Sequence, residues 1–193
     1  MTISLFIRNK EFQVSTEGFN DIYKVNESRE LADNIPVFLK DFISKIAISN
    51  IEKVIYSAGP ASFTTIRIIN SVLKGLLVSY PNVKFVGVSN FLTYMAISSK
   101  ISADGIIAIP TMRGDYFTCE YSNKKILTTG LLDTQSIEKY KTSIFFDNDN
   151  IYDDINLSKL QKSILNSDFN IENSNYIKNS LEIDYGFTPE YKY

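Results

Sequence analysis

Residues 3–7 are apolar except for Ser4, and polar and apolar residues alternate over 11–15, with Arg8, Asn9 and Lys10 between the two runs. A period of two marks a half-buried strand, so the pattern predicts a hairpin, with a third strand over 22–25. The period then lengthens. Leu31, Ile35, Phe38, Leu39, Phe42, Ile43 and Ile46 recur at helical spacings. At 100° per residue they span about 140°, the stripe of an amphipathic helix. Pro36 interrupts that stripe. Either the helix begins near Asn34 with the proline in its first turn, or an earlier turn is kinked there. Residues 54–57 read as a buried strand, Gly59-Pro60 as a turn, and Ser62 as the N-cap of a helix over 63–79. A strand follows at 84–88, and Ser89 caps a helix reaching about residue 98.

Strands are predicted at 105–110 and 116–121, joined around Arg113-Gly114-Asp115, with another at 126–132. The last third is more polar. It offers a strand at 144–146, an acidic, Asn-rich loop at 147–154, a helix at 157–165 capped near Asn156, and a tail at 177–193 with little period. No internal repeat is visible. Strands and helices alternate up to residue 110, which gives an α/β class with a mixed sheet. The loop at 100–104 divides an N-terminal lobe, 1–101, from a smaller second lobe, 102–193.

Composition narrows the chemistry. The 193 residues carry 20 basic and 22 acidic side chains, one cysteine and no histidine. A Ser-His-Asp or Cys-His triad, His-ligated zinc and a histidine base are excluded. One cysteine excludes a thiolate zinc cage, a disulfide framework and a CxxC pair. A net charge of −2 argues against a nucleic-acid grip by bulk electrostatics. No apolar run is long enough for a membrane span, and the N-terminus lacks a basic region and a cleavage site, so a cytoplasmic location is expected.

The most distinctive segment runs from Ser57 through Gly59-Pro60-Ala61-Ser62-Phe63-Thr64-Thr65-Ile66-Arg67-Ile68. Strand, tight turn and capped helix leave free N–H groups and partial positive charge at the helix start, which suits an anion. The Lys-Ser/Thr pair of a P-loop and GxGxxG spacing are both absent, and a structural turn with an N-cap is the favoured reading of the segment. Ser62 and Lys74 cannot form a nucleophile–base pair, since twelve residues of helix separate them by about 18 Å. In the helix itself, Ile66, Ile68, Ile69, Val72, Leu73, Leu76 and Leu77 cover an arc of about 180°, wider than one core requires. Either the helix is sandwiched inside its own domain, or one flank buries against a partner. Small Ser71 and Gly75 would let another helix approach.

Other candidates read as structure. Cys119 lies mid-strand without a cationic neighbour. The run Asp147-Asn148-Asp149-Asn150 starts like a calcium loop but continues with Ile151 and Tyr152, where a ligand and a glycine are needed. Arg113 and Asp115 suit either a ligand or a turn with a local ion pair. Tyr185, Phe187, Tyr191 and Tyr193 suit base stacking or packing of the tail.

The stretch Gly59, Pro60, Ser62, Phe63, Thr64, Arg67 and Ile68, followed by Lys74-Gly75-Leu76, resembles the GPGSFTGLRIG…KGL signature of the TsaB (YeaZ) family. Val86-Gly87-Val88-Ser89 is similar to that family's VGVSSL, Arg113-Gly114-Asp115-Tyr116-Phe117 to its DARRGEVY hairpin, and Pro189-Glu190-Tyr191 to its PxYLR. The resemblance implies an actin-like (ASKHA), two-lobed α/β fold with mixed sheets flanked by helices. It departs at the start, where the family's Asp-Thr-Ser/Ala strand is missing. Residues 3–7 align with the family's second strand, so a truncated first strand is expected. Thr65 and Asn70 replace two family glycines, and Pro110 replaces the aspartate that opens the hairpin motif.

The function implied is a non-catalytic scaffold in tRNA processing. Such a subunit pairs with TsaD and with the ATPase TsaE for threonylcarbamoyl transfer to the adenine beside the anticodon. It needs no cofactor or metal, and tRNA touches it only indirectly. The same helices that meet TsaD in the family also support a homodimer. The expected interface here is Ile35, Phe38, Phe42, Ile66, Ile68, Ile69, Val72 and Leu76. The alternatives are an actin-like, ATP-binding phosphotransferase and, less favoured without a histidine, a glycoprotease-like hydrolase.

Overall fold

The computed structural model describes residues 1–8, 11–17, 19–25, 28–45, 51–97, 101–111, 113–140, 144–146 and 177–178. The chain opens with three strands, β1 (Thr2–Arg8), β2 (Glu11–Thr16) and β3 (Phe19–Lys24), which form an antiparallel meander. Helix α1 (Ser28–Lys45) leads to β4 (Lys53–Ser57), and α2 (Phe63–Ser79) leads to β5 (Lys84–Val88). Both strands run parallel to β1 in one sheet, as βαβ connections require. A short strand, β10 (Ile177–Lys178), pairs antiparallel with β5, and the six-stranded order is β10-β5-β4-β1-β2-β3.

The pairing corrects the expectation of a truncated first strand. β1 has seven residues and takes an inner position, with β2 on one side and β4 on the other. What differs from the resemblance is the content of the strand. Its C-terminal end carries Phe6, Ile7 and Arg8 and no Asp-Thr-Ser/Ala sequence.

Pro36 does not begin α1 but sits in its interior, with two turns before it. It has no N–H to give to the Ala32 carbonyl one turn back. Ala32 and Pro36 both lie on the exposed side, where water can take that carbonyl's place. Leu31, Ile35, Leu39 and Phe42 face inward, as the helical period requires. They join Ile3, Leu5 and Ile7 of β1 and Ile68, Ile69, Leu73 and Leu76 of α2 in one core on one face of the sheet. Ile46, the last residue of the predicted stripe, lies outside the described residues.

Helix α3 (Asn90–Ile97) packs on the opposite face, starting where Ser89 Oγ accepts the Phe91 N–H at 3.3 Å. Beyond it lies a second sheet of β6 (Asp104–Pro110), β7 (Tyr116–Ser122), β8 (Lys125–Leu132) and β9 (Ile144–Phe146), ordered β8-β7-β6-β9. One hydrophobic cluster joins Phe6, Ile55 and Val88 of the first sheet to Phe91, Leu92, Tyr94 and Met95 of α3. The same cluster continues into Ile107, Ile109, Phe117, Cys119, Tyr121 and Ile126 of the second sheet. A one-turn helix, α4 (Thr134–Ile137), follows β8, with Asp133 Oδ1 accepting the Ser136 N–H at 2.7 Å. The readings at 147–154, Asn156, 157–165 and the tail aromatics, with the Pro189-Glu190-Tyr191 motif, fall outside the described residues. No described helix is long and apolar enough to cross a membrane.

Candidate functional site

The distinctive segment is built as a junction. β4 delivers Ser57 and Ala58 to the sheet end, where the Ala58 N–H donates to the Val88 carbonyl at 2.8 Å. Gly59 turns the chain with φ 100°, a conformation that favours glycine. Asn90, the buried first residue of α3, then holds the turn by three bonds. Its backbone N–H donates to the Gly59 carbonyl at 2.7 Å, its Nδ2 donates to the Pro60 carbonyl at 2.9 Å, and its Oδ1 accepts from the Ser57 hydroxyl. The turn therefore fixes the start of α2 against α3.

Ser62 caps α2 as predicted. Its Oγ accepts the Thr65 N–H at 3.2 Å and lies 2.8 Å from Thr65 Oγ1. These bonds engage the hydroxyl with the helix start rather than with a base. Thr64 is exposed on the first turn, and the Arg67 guanidinium stands 4.0 Å over the Phe63 ring. Gly59, Pro60, Ser62, Phe63, Thr64 and Arg67 are thus one local cluster. Arg113 and Gly114 belong to the β6–β7 turn of the other sheet. There the Thr111 N–H donates to the Asp115 carbonyl at 2.8 Å, and Gly114 takes φ 88°. Among the described residues Arg113 and Asp115 form no ion pair; the turn is held by that backbone bond, by the Arg113 N–H donating to Thr111 Oγ1 at 3.2 Å and by Thr134 Oγ1 donating to the Gly114 carbonyl at 3.0 Å.

Cys119 is fully buried on β7. Burial, with a smaller contribution from the charge of Glu120, pushes its thiol up to about 12. The reactive thiolate is therefore suppressed. Among the described residues no cluster of three metal-ligating side chains occurs.

A groove of about 520 Å³ lies between α1 and α2. Leu39, Ile43, Ile68, Val72 and Leu76 form its apolar surface; Lys40, Ser44 and Tyr80 are also among its lining residues. Ser71, Gly75 and Ser79 recur every four residues and so form one ridge of α2 along it. The Ser71 and Ser79 hydroxyls turn back onto the helix, donating to the Arg67 carbonyl at 2.9 Å and the Gly75 carbonyl at 3.1 Å. A Cβ added at Gly75 would meet nothing within 4 Å, so no close contact among the described residues explains the glycine.

The eight residues expected at an interface divide. Ile35, Phe42, Ile66, Ile68, Ile69 and Leu76 are buried within the chain, while Phe38 and Val72 are half-buried. Phe38 packs against Phe12 and Tyr23, with ring centroids 5.8 and 5.3 Å away. Ile68, Val72 and Leu76 line the groove. Much of the wide apolar arc of α2 is therefore used by its own domain. Leu77 and Val78, on the other flank, remain exposed.

Sequence reasoning missed Asn90 and the packing reason for Gly87. Asn90 follows the recognised cap Ser89 and gave no signal of its long-range bonds. Gly87 is glycine because a Cβ there would lie 2.8 Å from Tyr56 Cζ and Oη. A glycine inside a short strand is the signal that could have shown it.

The fold and the site together define a class: two-sheet α/β proteins whose N-terminal helix pair leaves an apolar groove. Solved structures place the chain beside YeaZ proteins. An uncharacterized protein with similarity to peptidase YeaZ from Pseudomonas aeruginosa matches with a TM-score of 0.64 at 13% identity, over 95% of this chain and 98% of that one. YeaZ from Pseudomonas aeruginosa matches with a TM-score of 0.62 at 14% identity, over 86% and 93%. At such identities the likeness is one of fold. No family profile matches the chain, and no curated protein does.

Proposed function

We propose that this chain is a TsaB-like, non-catalytic subunit that binds a TsaD-like partner through the α1–α2 groove. The observation that carries the reading is the groove on a YeaZ-type fold, with an open glycine at its rim. Its apolar surface of Leu39, Ile43, Ile68, Val72 and Leu76 suits a helix of another subunit, and the small ridge of Ser71, Gly75 and Ser79 permits close approach. The motif residues serve this role indirectly. Ser62 and the Asn90-held turn fix where α2 starts, and hence where the groove lies.

On this reading the chain supplies no reacting group. The partner carries the threonylcarbamoyl transfer, a TsaE-like ATPase joins the pair, and tRNA meets this chain only through them. Co-purification with the TsaD-like subunit of its own cell, followed by a transfer assay with and without this chain, tests the proposal. A stable pair and a transfer rate that depends on the chain are expected. Tight, magnesium-dependent ATP binding by the isolated chain would instead support an actin-like phosphotransferase.

A further inference from the structure

Acidic residues are unevenly spread along this chain. From residue 53 to residue 103 there is no Asp or Glu, while Lys53, Arg67, Lys74, Lys84 and Lys100 fall in that stretch of a chain whose net charge is −2. Helix α2 lies inside the stretch and so carries two cations and no carboxylate. Arg67 and Lys74 are both exposed. Among the described residues no ion pair involves either of them.

Seven residues make about two turns, so Arg67 and Lys74 stand nearly in line, about 10 Å apart along the helix axis. Round the helix they lie about 40° and 60° from Ser71, both on the same side of it. Ser71 belongs to the small ridge that borders the groove, so the two cations flank the groove along its α2 rim. On the α1 side the charged residue of the lining is Lys40. Glu30, Asp33 and Asp41, the carboxylates of α1, are not among the lining residues. The charge beside the apolar surface is therefore positive on both helices.

We infer that the groove takes an acidic helix: an amphipathic helix of the partner whose apolar ridge fills the groove and whose flank over α2 carries carboxylates about two turns apart, opposite Arg67 and Lys74. This rests on the subunit role proposed above and adds the chemistry of the partner's side. The same charges disfavour a second copy as occupant. Laid α2 against α2, it would add another Arg67 and another Lys74 and no carboxylate. Like charges brought together suppress a wrong partner. Exposed ion pairs each add little to affinity. Their larger effect is on encounter, since complementary charge speeds association at low salt and is screened as salt rises.

The test is the association rate of the full chain with the TsaD-like subunit of its own cell, followed by surface plasmon resonance in roughly 50 mM and roughly 500 mM NaCl. The wild type should associate on the order of tenfold more slowly at the higher salt. Arg67→Glu combined with Lys74→Glu should associate at least tenfold more slowly than the wild type at low salt, and its rate should no longer fall as salt rises. Both sites are exposed, so the double variant should keep the wild-type thermal midpoint. Loss of packing alone would slow binding without removing the salt dependence. A wild type that binds at a rate unchanged by the double reversal would overturn this inference and leave the subunit role standing. No binding by the wild type would overturn both. A dimer of the chain alone in sedimentation, dispersed by Gly75→Leu, would make a second copy the occupant and also overturn the inference.

Discussion

At the scale of single residues, Asn90 and Cys119 show how burial assigns roles. Asn90→Ala removes one acceptor and one donor from a buried site and strips the Ser57 hydroxyl and Pro60 carbonyl of their partner. Leaving buried polar groups unpaired costs about 1–3 kcal/mol each, so the thermal midpoint should fall clearly in calorimetry. Asn90→Asp keeps an acceptor for Ser57 but buries a carboxylate against the Pro60 carbonyl, and at neutral pH should cost at least as much as Asn90→Ala. Cys119 titrates far above its ordinary value, at about 12 against 9.0. The folded state therefore holds this proton more tightly than the unfolded state. That contribution is complete below pH 9.0 and is lost as pH rises toward about 12. The wild type should lose more stability between these limits than Cys119→Ala, measured by denaturant unfolding. At pH 8 the native thiol should resist alkylation and react only after unfolding.

At the scale of elements, local signals were legible and long-range ones were not. The strands at 3–7, 11–15, 54–57, 84–88 and 105–110 showed in the sequence because apolar period and turn residues agree there. The Ser62 and Ser89 caps showed for the same reason. The start of α1 did not, because Pro36 suggested a boundary, while burial of Leu31 and Ile35 outweighs one lost backbone bond. The inner place of β1 did not show either, since nothing in residues 3–7 says which strand lies on the far side. The one-turn α4 is too short for a period and rests on its Asp133 cap. At the candidate site, the small ridge of α2 was readable, whereas the share of its arc used by its own core was not. Gly75 isolates that question. With open space above it, Gly75→Ala should stabilise the free chain by about 0.5–1 kcal/mol, read as a raised thermal midpoint.

At the scale of the whole molecule, two sheets share α3 between them, and the two helices of the first half turn a groove outward. The account rests on that groove being the seat of a TsaD-like partner, and titration calorimetry with the wild type and Gly75→Leu tests it most directly. The wild type should bind, and Gly75→Leu should bind at least tenfold more weakly while melting at or above the wild-type temperature. Equal affinities for the two proteins, or no binding by the wild type, would contradict the account.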